Sequence, residues 1–502
     1  MKAYGRHHYI DGSFDAGLGT RTGPVFNPST GQLVYDCNYA DTRTVDHAVQ
    51  VAAAAARKWG SQSQARRLEV IFRMRELLRS EVEPLADLIG RENGKTLADA
   101  RGEIGRAVEA LEFATNFSQI MKGEYSANVG GSIDIFSMRQ PLGVVACIAP
   151  FNFPVMQPLM MASLAVAVGN AVVHKPSERV PGPAGRLGEL WTKAGLPNGI
   201  WNVVNGDAEA VDAIVENPSV RAISFVGSTR VGEKIYHIGT GLNKRVAAYT
   251  GGKNHMVVMP DADLDAAANA FVSAGFGSAS QRCMAVSLLV AVGKNTADSL
   301  RELIVPLVRR LKVGAFDEAG VDFGPLVSAA AQKAVKEAVH RTATEGAELV
   351  VDGSQLVVTG REQGFYAGPS LADRVTTNME LWKEEIFGPI RGIMRAGDFD
   401  EAVEIVNAHQ YGNGAVIFTR DGPAAHRFCR DVEAGMLGVN VPIPVPVGNF
   451  NFGGLRRSRF GDAHMFGPET AKFFTKLKTI SQRWPEPFGS SEALSLAFEP
   501  HE

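Results

Sequence analysis

Two kinds of hydrophobic pattern divide the chain into a helical start and a longer alternating region. Between residues 45 and 89, apolar residues recur three and four positions apart with charges between them, which predicts helices over 45–59 and 65–89. From residue 143 onward, short β-branched runs alternate with helical stretches, a pattern typical of a parallel, doubly wound sheet. The predicted strands cover 143–148, 171–174, 201–204, 222–226 and 246–249, and the predicted helices cover 183–194, 208–216 and 229–238.

A second series of the same kind follows residue 252. Its predicted strands are 255–259, 286–292, 348–351, 390–395 and 414–418, and its predicted helices are 264–274, 296–311 and 400–407. The chain is therefore predicted to form two α/β lobes that meet near residues 250–253. A ligand crevice is expected between the lobes, because clefts between domains are common binding sites.

Composition narrows the class of protein. The 502 residues carry 51 Lys and Arg against 54 Asp and Glu, a net charge of −3, without the basic footprint of a nucleic-acid-binding protein. The four cysteines form no CxxC pair, which excludes a disulfide scaffold or a cysteine zinc site and favours a reducing compartment. We therefore expect a cytoplasmic protein that does not bind nucleic acid.

The stretch from residue 140 to 173 has no charged residue and imitates a membrane span. Prolines at positions 150, 154 and 158 interrupt it, whereas a spanning helix needs about 20 consecutive apolar residues. We predict that the stretch is buried interior and that the protein has no membrane partner. The first residues contain no apolar run that would indicate a secretory signal.

Two strand–helix turns are candidate dinucleotide sites, since no GxxxxGK[ST] phosphate loop is present. At the first turn, a predicted strand ends at Gly227 and Ser228 caps a helix whose free N–H groups and dipole suit a pyrophosphate. Glycine and a serine cap also build ordinary turns of this type. At the second turn, Lys175 and Glu178 have the chemistry to hydrogen-bond ribose hydroxyls, or they form a solvated charge pair.

Cys283 and Asn152 are the candidate catalytic residues. Cys283 follows small residues and Arg282, whose charge would favour the thiolate of an exposed cysteine; a buried packing cysteine is the alternative. Asn152 lies between two phenylalanines and two prolines, where a rigid amide suits either an oxyanion hole or an ordinary turn. Cys37, Cys147 and Cys429 are predicted to be packing residues.

Six motifs resemble those of the aldehyde dehydrogenase superfamily in order and spacing, and they cover nearly the whole chain. They are PFNFP at 150–154, KPSE at 175–178, FVGSTRVG at 225–232, GGK at 251–253, QRC at 281–283 and KEEIFGP at 383–389. The resemblance implies an α/β aldehyde dehydrogenase fold that assembles as a homodimer or homotetramer. It implies a Rossmann-like NAD-binding domain (1–125 and 142–254), an α/β catalytic domain (255–440), a return segment lining the active site (441–469) and a small oligomerisation arm (126–141 and 470–490).

Three segments resemble the methylmalonate-semialdehyde dehydrogenase branch, which acylates coenzyme A. They are QRCMA at 281–285, KNHMVVMPDAD at 253–263 and NVPIPVP at 440–446. The resemblance implies that Cys283 is the nucleophile and that Asn152, with the backbone N–H of Cys283, forms the oxyanion hole. It further implies that Arg106 and Arg282 bind a substrate carboxylate. The implied NAD-binding residues are Phe151, Lys175, Glu178, Gly227, Ser228, Glu385 (at the nicotinamide ribose) and Phe387 (near the ring).

One departure from the superfamily separates two activities. Hydrolytic members carry a glutamate two residues before Gly-Gly-Lys as the base that activates water, but here that position is Tyr249, whose phenol is a poor base at neutral pH. We therefore expect NAD-dependent oxidation of methylmalonate or malonate semialdehyde, with coenzyme A as co-substrate and propionyl-CoA or acetyl-CoA and CO2 as products. The alternatives are a hydrolytic NAD(P)-dependent enzyme that gives a free acid and, more remotely, a non-catalytic NAD-binding protein.

Overall fold

Strands and helices alternate along most of the computed structural model, which describes residues 3–484. The helices are α1 (Thr42–Gly60), α2 (Gln64–Ser80), α3 (Val82–Asn93), α4 (Leu97–Ala114), α5 (Phe117–Ile120), α6 (Met156–Ala167), α7 (Gly182–Lys193), α8 (Ala208–Glu216), α9 (Thr229–Gly241), α10 (Leu264–Phe276), α11 (Thr296–Arg309), α12 (Ala329–Thr344), α13 (Glu380–Lys383), α14 (Phe399–Asn407), α15 (Gly422–Asp431) and α16 (Thr470–Phe474).

The strands are β1 (His8–Ile10), β2 (Ser13–Asp15), β3 (Thr22–Asn27), β4 (Gln32–Asn38), β5 (Tyr125–Ser126), β6 (Ile133–Pro141), β7 (Val144–Ile148), β8 (Ala171–Lys175), β9 (Trp201–Val203), β10 (Val220–Val226), β11 (Arg245–Tyr249), β12 (Asn254–Val258), β13 (Val286–Val292), β14 (Glu348–Val351), β15 (Ser370–Asp373), β16 (Ile390–Ala396), β17 (Tyr411–Gly412), β18 (Gly414–Phe418), β19 (Met436–Val439), β20 (Leu455–Arg456), β21 (Arg459–Phe460) and β22 (Thr475–Arg483).

The first large sheet has the order β2-β1-β9-β8-β7-β10-β11-β21, and its strands β7 to β11 run parallel. After β7 the chain adds β8 and β9 on one side, then returns to add β10 and β11 on the other. This reversal makes the carboxyl ends of β7 and β10 the switch point of the sheet. A crevice for a ligand is expected there, because the two crossovers leave the switch point in opposite directions.

The second large sheet has the order β14-β15-β16-β13-β12-β18-β19, and all of its strands except β14 run parallel to their neighbours. Residues 250–253 carry the chain directly from β11 in the first sheet to β12 in the second. The carboxyl end of the first sheet therefore meets the amino end of the second. The α/β fold predicted from the sequence is confirmed.

A third, three-stranded sheet has the order β22-β6-β5. Strand β22 pairs antiparallel with β6 from Thr475 opposite Pro141 to Arg483 opposite Ile133. Residues 485–490, predicted as part of the oligomerisation arm, lie outside the described residues. None of the helices within residues 3–484 combines the length and the apolar character that crossing a membrane needs.

The structure corrects two expectations from the sequence. The helix predicted over 65–89 is two helices, broken at Glu81 (φ −104°, ψ 14°), because Pro84 has no N–H for the carbonyl of Ser80 and its ring opposes a continuous helix there. The packing role predicted for Cys429 is wrong: Cys429 is exposed on α15, whereas Cys37 and Cys147 are buried. The apolar pattern of a surface helix does not distinguish a cysteine on its rim from one in the core.

Candidate active site

Asn152 and Cys283 come together where the two large sheets meet. Asn152 lies in the loop after β7, and Cys283 lies in the turn before β13. The Asn152 amide donates a hydrogen bond of 2.9 Å to the carbonyl of Gln281, two residues before the cysteine. Because an amide NH2 has two donors, the second N–H stays available for an oxygen near the sulfur.

The turn that carries Cys283 is strained. Ser278, Ala279 and Ser280 have φ values of 53°, 51° and 62°, a left-handed conformation that costs side-chain-bearing residues about 1–3 kcal/mol each. The Ser280 hydroxyl holds the turn by donating to the carbonyl of Gly275 at 2.6 Å. Such strain persists only where the surroundings impose it, and here it delivers Cys283 to the junction of the sheets.

Two asparagines of the second sheet fix the backbone of the cysteine. Asn254, which begins β12, donates to the Cys283 carbonyl at 2.9 Å, and Asn413, just before β18, donates to the same oxygen at 3.0 Å. The carbonyl is thereby turned toward the second sheet. The position of the sulfur is consequently set by three separate parts of the chain rather than by the flexible turn alone.

Arg282 favours the Cys283 thiolate less than the sequence predicts, because its charge is the weakest of the influences that act on the pKa of the thiol. The Arg282 guanidinium turns away and pairs with Asp99 at 2.6 Å, so its charge is largely compensated. The thiol is half-buried, and loss of solvent, followed by the nearby charge of Glu385, raises its pKa to about 12. The backbone N–H groups of Cys283 and Met284 oppose this shift only partly. In the free protein the sulfur is therefore held mainly as a thiol.

This raised pKa predicts how Cys283 reacts with iodoacetamide. In a Cys429→Ser background, the alkylation rate is expected to rise about tenfold per pH unit between pH 7 and 10, because only the thiolate reacts. Glu385→Gln removes the adjacent charge and is expected to raise the rate at pH 8, whereas the exposed neighbour variant Glu384→Gln is not. Peptide mass spectrometry follows the reaction; a rate that levels off below pH 8 would contradict the raised pKa.

A buried ion pair positions Asn152, and sequence reasoning missed it. Lys95 donates to the backbone carbonyl of Asn152 at 2.6 Å and pairs with Glu103 at 2.7 Å, with both side chains almost completely buried. The other oxygen of Glu103 accepts the backbone N–H groups of Val155 and Met156 at the start of α6. The loop that carries Asn152 is thus held from both ends. No local pattern in the sequence indicates this contact, because Lys95 and Asn152 are far apart along the chain.

A narrow cavity of about 30 Å³ opens beside Cys283. Its walls are mainly apolar, so it suits a small substrate with a short carbon chain. The lining residues are Gln157, Met160, Met161, Val226, Tyr249, Thr250, Cys283, Asn413, Phe452, Met465 and Phe466.

Tyr249 occupies the wall of this cavity with its hydroxyl already engaged. The hydroxyl donates to the carbonyl of Phe452 at 3.0 Å and lies 3.1 Å from Nδ1 of His464. Burial raises the pKa of Tyr249 to about 12, so the phenol is neutral at physiological pH. The position from which a base would activate water therefore holds a neutral ring that bridges β11 to the segment before α16.

The first-sheet residues predicted to bind NAD line the carboxyl ends of β7, β8 and β10. Lys175 is 5% exposed and pairs at 3.5 Å with Glu178, whose side chain is 35% exposed, so the alternative of a solvated charge pair fits the carboxylate but not the buried lysine. The Ser228 side chain makes no cap hydrogen bond to α9, contrary to the expected cap. A side chain at Gly227 would meet the Phe225 ring at 2.5 Å, so the turn after β10 has no room for a side chain at this position. These features fit a dinucleotide, since amide donors and a buried cation stay available.

The two predicted NAD-binding residues of the second sheet lie across the crevice. Glu385 accepts the Gly252 N–H at 3.1 Å, and loss of solvent raises its pKa to about 7. The ring of Phe387 packs edge-to-face against Phe151, with centroids 5.9 Å apart. The crevice is therefore bounded by residues from both sheets.

The two arginines predicted to grip a carboxylate are outside the cavity lining. Arg106 pairs with Glu109 and donates to the carbonyl of Pro446 at 2.7 Å, in the predicted return segment. Arg282 is next to Cys283 in sequence but points to Asp99. Arg106 extends from α4 to the loop of Pro446, and Arg282 extends from the turn of Cys283 to Asp99 on α4. The charge of each guanidinium is partly compensated by a carboxylate.

Comparison with known proteins places this geometry among related structures. The aldehyde dehydrogenase family model matches residues 16–480. Malonate-semialdehyde dehydrogenase of Pseudomonas aeruginosa is 50% identical over 492 residues, which cover 98% of this chain and 99% of that one. The acylating, mitochondrial methylmalonate-semialdehyde dehydrogenase of Arabidopsis thaliana is 42% identical over 477 residues, covering 95% of this chain and 78% of that one.

Among solved structures, methylmalonate-semialdehyde dehydrogenase from Oceanimonas doudoroffii superposes with a TM-score of 0.94 at 45% identity, covering 96% of this chain and 98% of that one. A Sinorhizobium meliloti protein described as a methylmalonate-semialdehyde dehydrogenase, in complex with NAD, superposes with a TM-score of 0.95 at 44% identity and the same coverage.

Proposed function

The chain belongs to the aldehyde dehydrogenase family, and from this premise we propose that it oxidises a small carboxylated semialdehyde with NAD and transfers the acyl group to coenzyme A. Relatives named for malonate and methylmalonate semialdehyde support the substrate class, and the acylating relative supports the acceptor. The narrow cavity beside Cys283 favours a small substrate.

In the oxidation step, the Cys283 thiol loses its proton to solvent, and the sulfur then attacks the aldehyde carbon and forms a thiohemiacetal. The free N–H of Asn152 and the backbone N–H of Cys283 stabilise the resulting oxyanion. Bound NAD supplies the hydride acceptor that turns this adduct into a thioester on Cys283. Phe151, Lys175, Glu178, Gly227 and Ser228 would hold the dinucleotide at the first sheet, with Glu385 and Phe387 at the second.

Tyr249 is the observation that carries the choice of acyl acceptor. A neutral phenol whose hydroxyl is bound to the Phe452 carbonyl does not deprotonate water, so hydrolysis of the thioester is slow. The thiolate of coenzyme A attacks the same thioester without help from a base at this position. With malonate semialdehyde, loss of the carboxylate as CO2 then leaves acetyl-CoA.

Identification of the product tests this proposal. Turnover with malonate semialdehyde, NAD and coenzyme A is expected to give acetyl-CoA and one NADH per aldehyde, measured by mass spectrometry and absorbance. Malonate as the sole product would reject the acylating reaction and favour the hydrolytic alternative.

The proposal includes a cytoplasmic homodimer or homotetramer. Strand β22 is an edge of the three-stranded sheet, and Leu477 on it is 53% exposed. Unpaired edges with exposed apolar side chains commonly pair with another chain. Light scattering of the purified protein distinguishes the dimer from the tetramer.

Variants of the two arginines test recognition of the substrate carboxylate. Arg106→Leu and Arg282→Leu are each expected to raise KM for malonate semialdehyde about 10- to 100-fold. The proposal requires each guanidinium to exchange its present partner, Glu109 or Asp99, for the substrate carboxylate, and that charge-assisted hydrogen bond contributes about 1.5–3 kcal/mol. Propanal, which has the same chain length and no carboxylate, is the matched substrate and its KM should change little. Equal increases for both aldehydes would mean that the arginines act on structure or cofactor instead.

A further inference from the structure

A second, larger cleft lies on the opposite edge of the first sheet from Cys283. It has a volume of about 970 Å³ and forms where the three-stranded sheet joins the amino ends of β7 and β10. Its walls come from the end of α1, the start of α2, β6 and the first residues of β22. Strand β7, about 16 Å long, separates this cleft from the loop of Asn152.

The charges that line this cleft all have the same sign. It is bordered by five cationic side chains and no aspartate or glutamate, although the whole chain has a net charge of −3. Within residues 3–484, none of the five lies within 4.0 Å of a carboxylate oxygen. The cations are Arg57, Arg67, Arg139, Arg221 and Lys476.

Arg67 is the most informative of these cations, because it is buried without a partner. Arg67 is only 5% exposed, and its Nε and Nη1 atoms are enclosed. Within the part of the chain that the structure describes, its guanidinium makes no hydrogen bond. The ring of Phe117, 5.4 Å from the guanidinium carbon, is its nearest favourable contact. An unpaired buried charge is strongly unfavourable unless another group compensates it.

The position of Arg67 is fixed rather than adjustable. It is anchored in α2, and a side chain at Gly169 would approach its Nη1 to 2.4 Å, so the guanidinium packs directly against bare backbone. Because Nε and Nη1 are enclosed, Nη2 is the guanidinium nitrogen left to contact a ligand in the cleft, and a charge-assisted hydrogen bond from arginine to phosphate is a strong one. Four further cations around it match a ligand with more than one negative charge.

We propose that this cleft is a second ligand site, separate from the NAD and aldehyde sites, that binds a small phosphorylated anion through Arg67. Arg221, at a bulge that begins β10, and Lys476, at the start of β22, supply the outer charges. The side chains of Met121, Leu142 and Gln64 leave room and contacts for an organic group attached to the phosphate.

Calorimetric titration with inorganic pyrophosphate tests this site. The protein is saturated with NAD, which fills the dinucleotide crevice, and ionic strength is held constant with sodium chloride. The wild type is expected to bind one pyrophosphate per chain. Arg67→Met is expected to weaken this binding about tenfold, because a charge-assisted hydrogen bond to the phosphate is lost.

Two other variants complete the experiment. Arg310→Met removes an exposed arginine at the end of α11 that makes no ion pair in the described chain. This control variant should bind pyrophosphate with the same affinity as the wild type. Circular dichroism shows whether Arg67→Met folds. If it does not fold, Arg221→Ala is titrated in its place, and its affinity for pyrophosphate is expected to be about threefold lower than that of the wild type.

Three results would overturn the proposal. The first is that the wild type binds no pyrophosphate. The second is that the wild type and Arg67→Met bind pyrophosphate with equal affinity. The third is that Arg310→Met loses as much affinity for pyrophosphate as Arg67→Met does. If the wild type binds no pyrophosphate and light scattering shows that Arg221→Glu changes the oligomeric state, these cations instead form a contact between copies of the chain. Aldehyde turnover is not the readout, so failure here leaves the acylating activity unaffected.

Discussion

Replacing Cys283 with alanine is expected to reduce aldehyde oxidation by about 10⁴-fold or more while changing the Kd for NAD less than about threefold. The large loss follows because Cys283 is the only thiol among the described residues that line the cavity, and burial keeps the Tyr249 hydroxyl there neutral, with its pKa raised to about 12. The NAD-binding residues of the first sheet are at the carboxyl ends of β7, β8 and β10 and do not depend on the sulfur.

NADH absorbance measures the oxidation, and a fluorescence titration with NAD measures binding. Cys429→Ser is the matched control, because it removes a thiol that is exposed on α15, and it should keep the wild-type rate. Turnover near that of the wild type in Cys283→Ala would remove this residue from the mechanism. Parallel loss of NAD binding would mean that the variant disturbs the crevice.

The second large effect is expected when coenzyme A is left out. One equivalent of NADH per active site should form in a burst, followed by slow turnover, because the thioester on Cys283 then has only water as acceptor. Adding coenzyme A should restore fast turnover, with an increase in the steady rate of about 10²-fold, which is the contribution of a missing general base. Stopped-flow absorbance resolves the two phases.

Variants of Tyr249 connect this behaviour to its cause. Tyr249→Phe keeps the ring and removes only the hydroxyl, so its dependence on coenzyme A should match that of the wild type. Tyr249→Glu introduces a carboxylate facing the cavity and is expected to accelerate release of free acid in the absence of coenzyme A. Sustained turnover of the wild type to free acid, with no thiol added, would contradict the acylating assignment. If the turnover of Tyr249→Phe no longer depended on coenzyme A, the phenol hydroxyl would itself take part in acyl transfer.

Local sequence patterns were sufficient for most strands of the two large sheets. The strand predicted at 286–292 coincides with β13 and the one at 414–418 with β18, because strands buried on both faces are continuous apolar runs. The helix predicted at 208–216 coincides with α8. The error at Glu81 arose because periodicity continues across two helices that follow each other closely, although Pro84 marked the break.

The candidate site was predictable only as a list of residue types. A cysteine, an asparagine and a tyrosine at the base position indicate the reaction, because those chemical properties belong to the side chains themselves. Their surroundings do not follow from order along the chain. Arg282 precedes the cysteine, yet its guanidinium points to Asp99, and the pKa of Cys283 is raised rather than lowered.

The alternation of strands and helices, the family and the chemical class of the nucleophile were predictable without coordinates, since periodicity and motifs are local properties. Which distant groups meet follows from the packing of the folded chain. Lys95 reaches the carbonyl of Asn152, and Tyr249 bridges to His464, because separate elements converge at the junction of two sheets. The cleft around Arg67 has the same origin. Burial and electrostatic environment depend on all neighbours in space at once, so they appear only when the chain is folded.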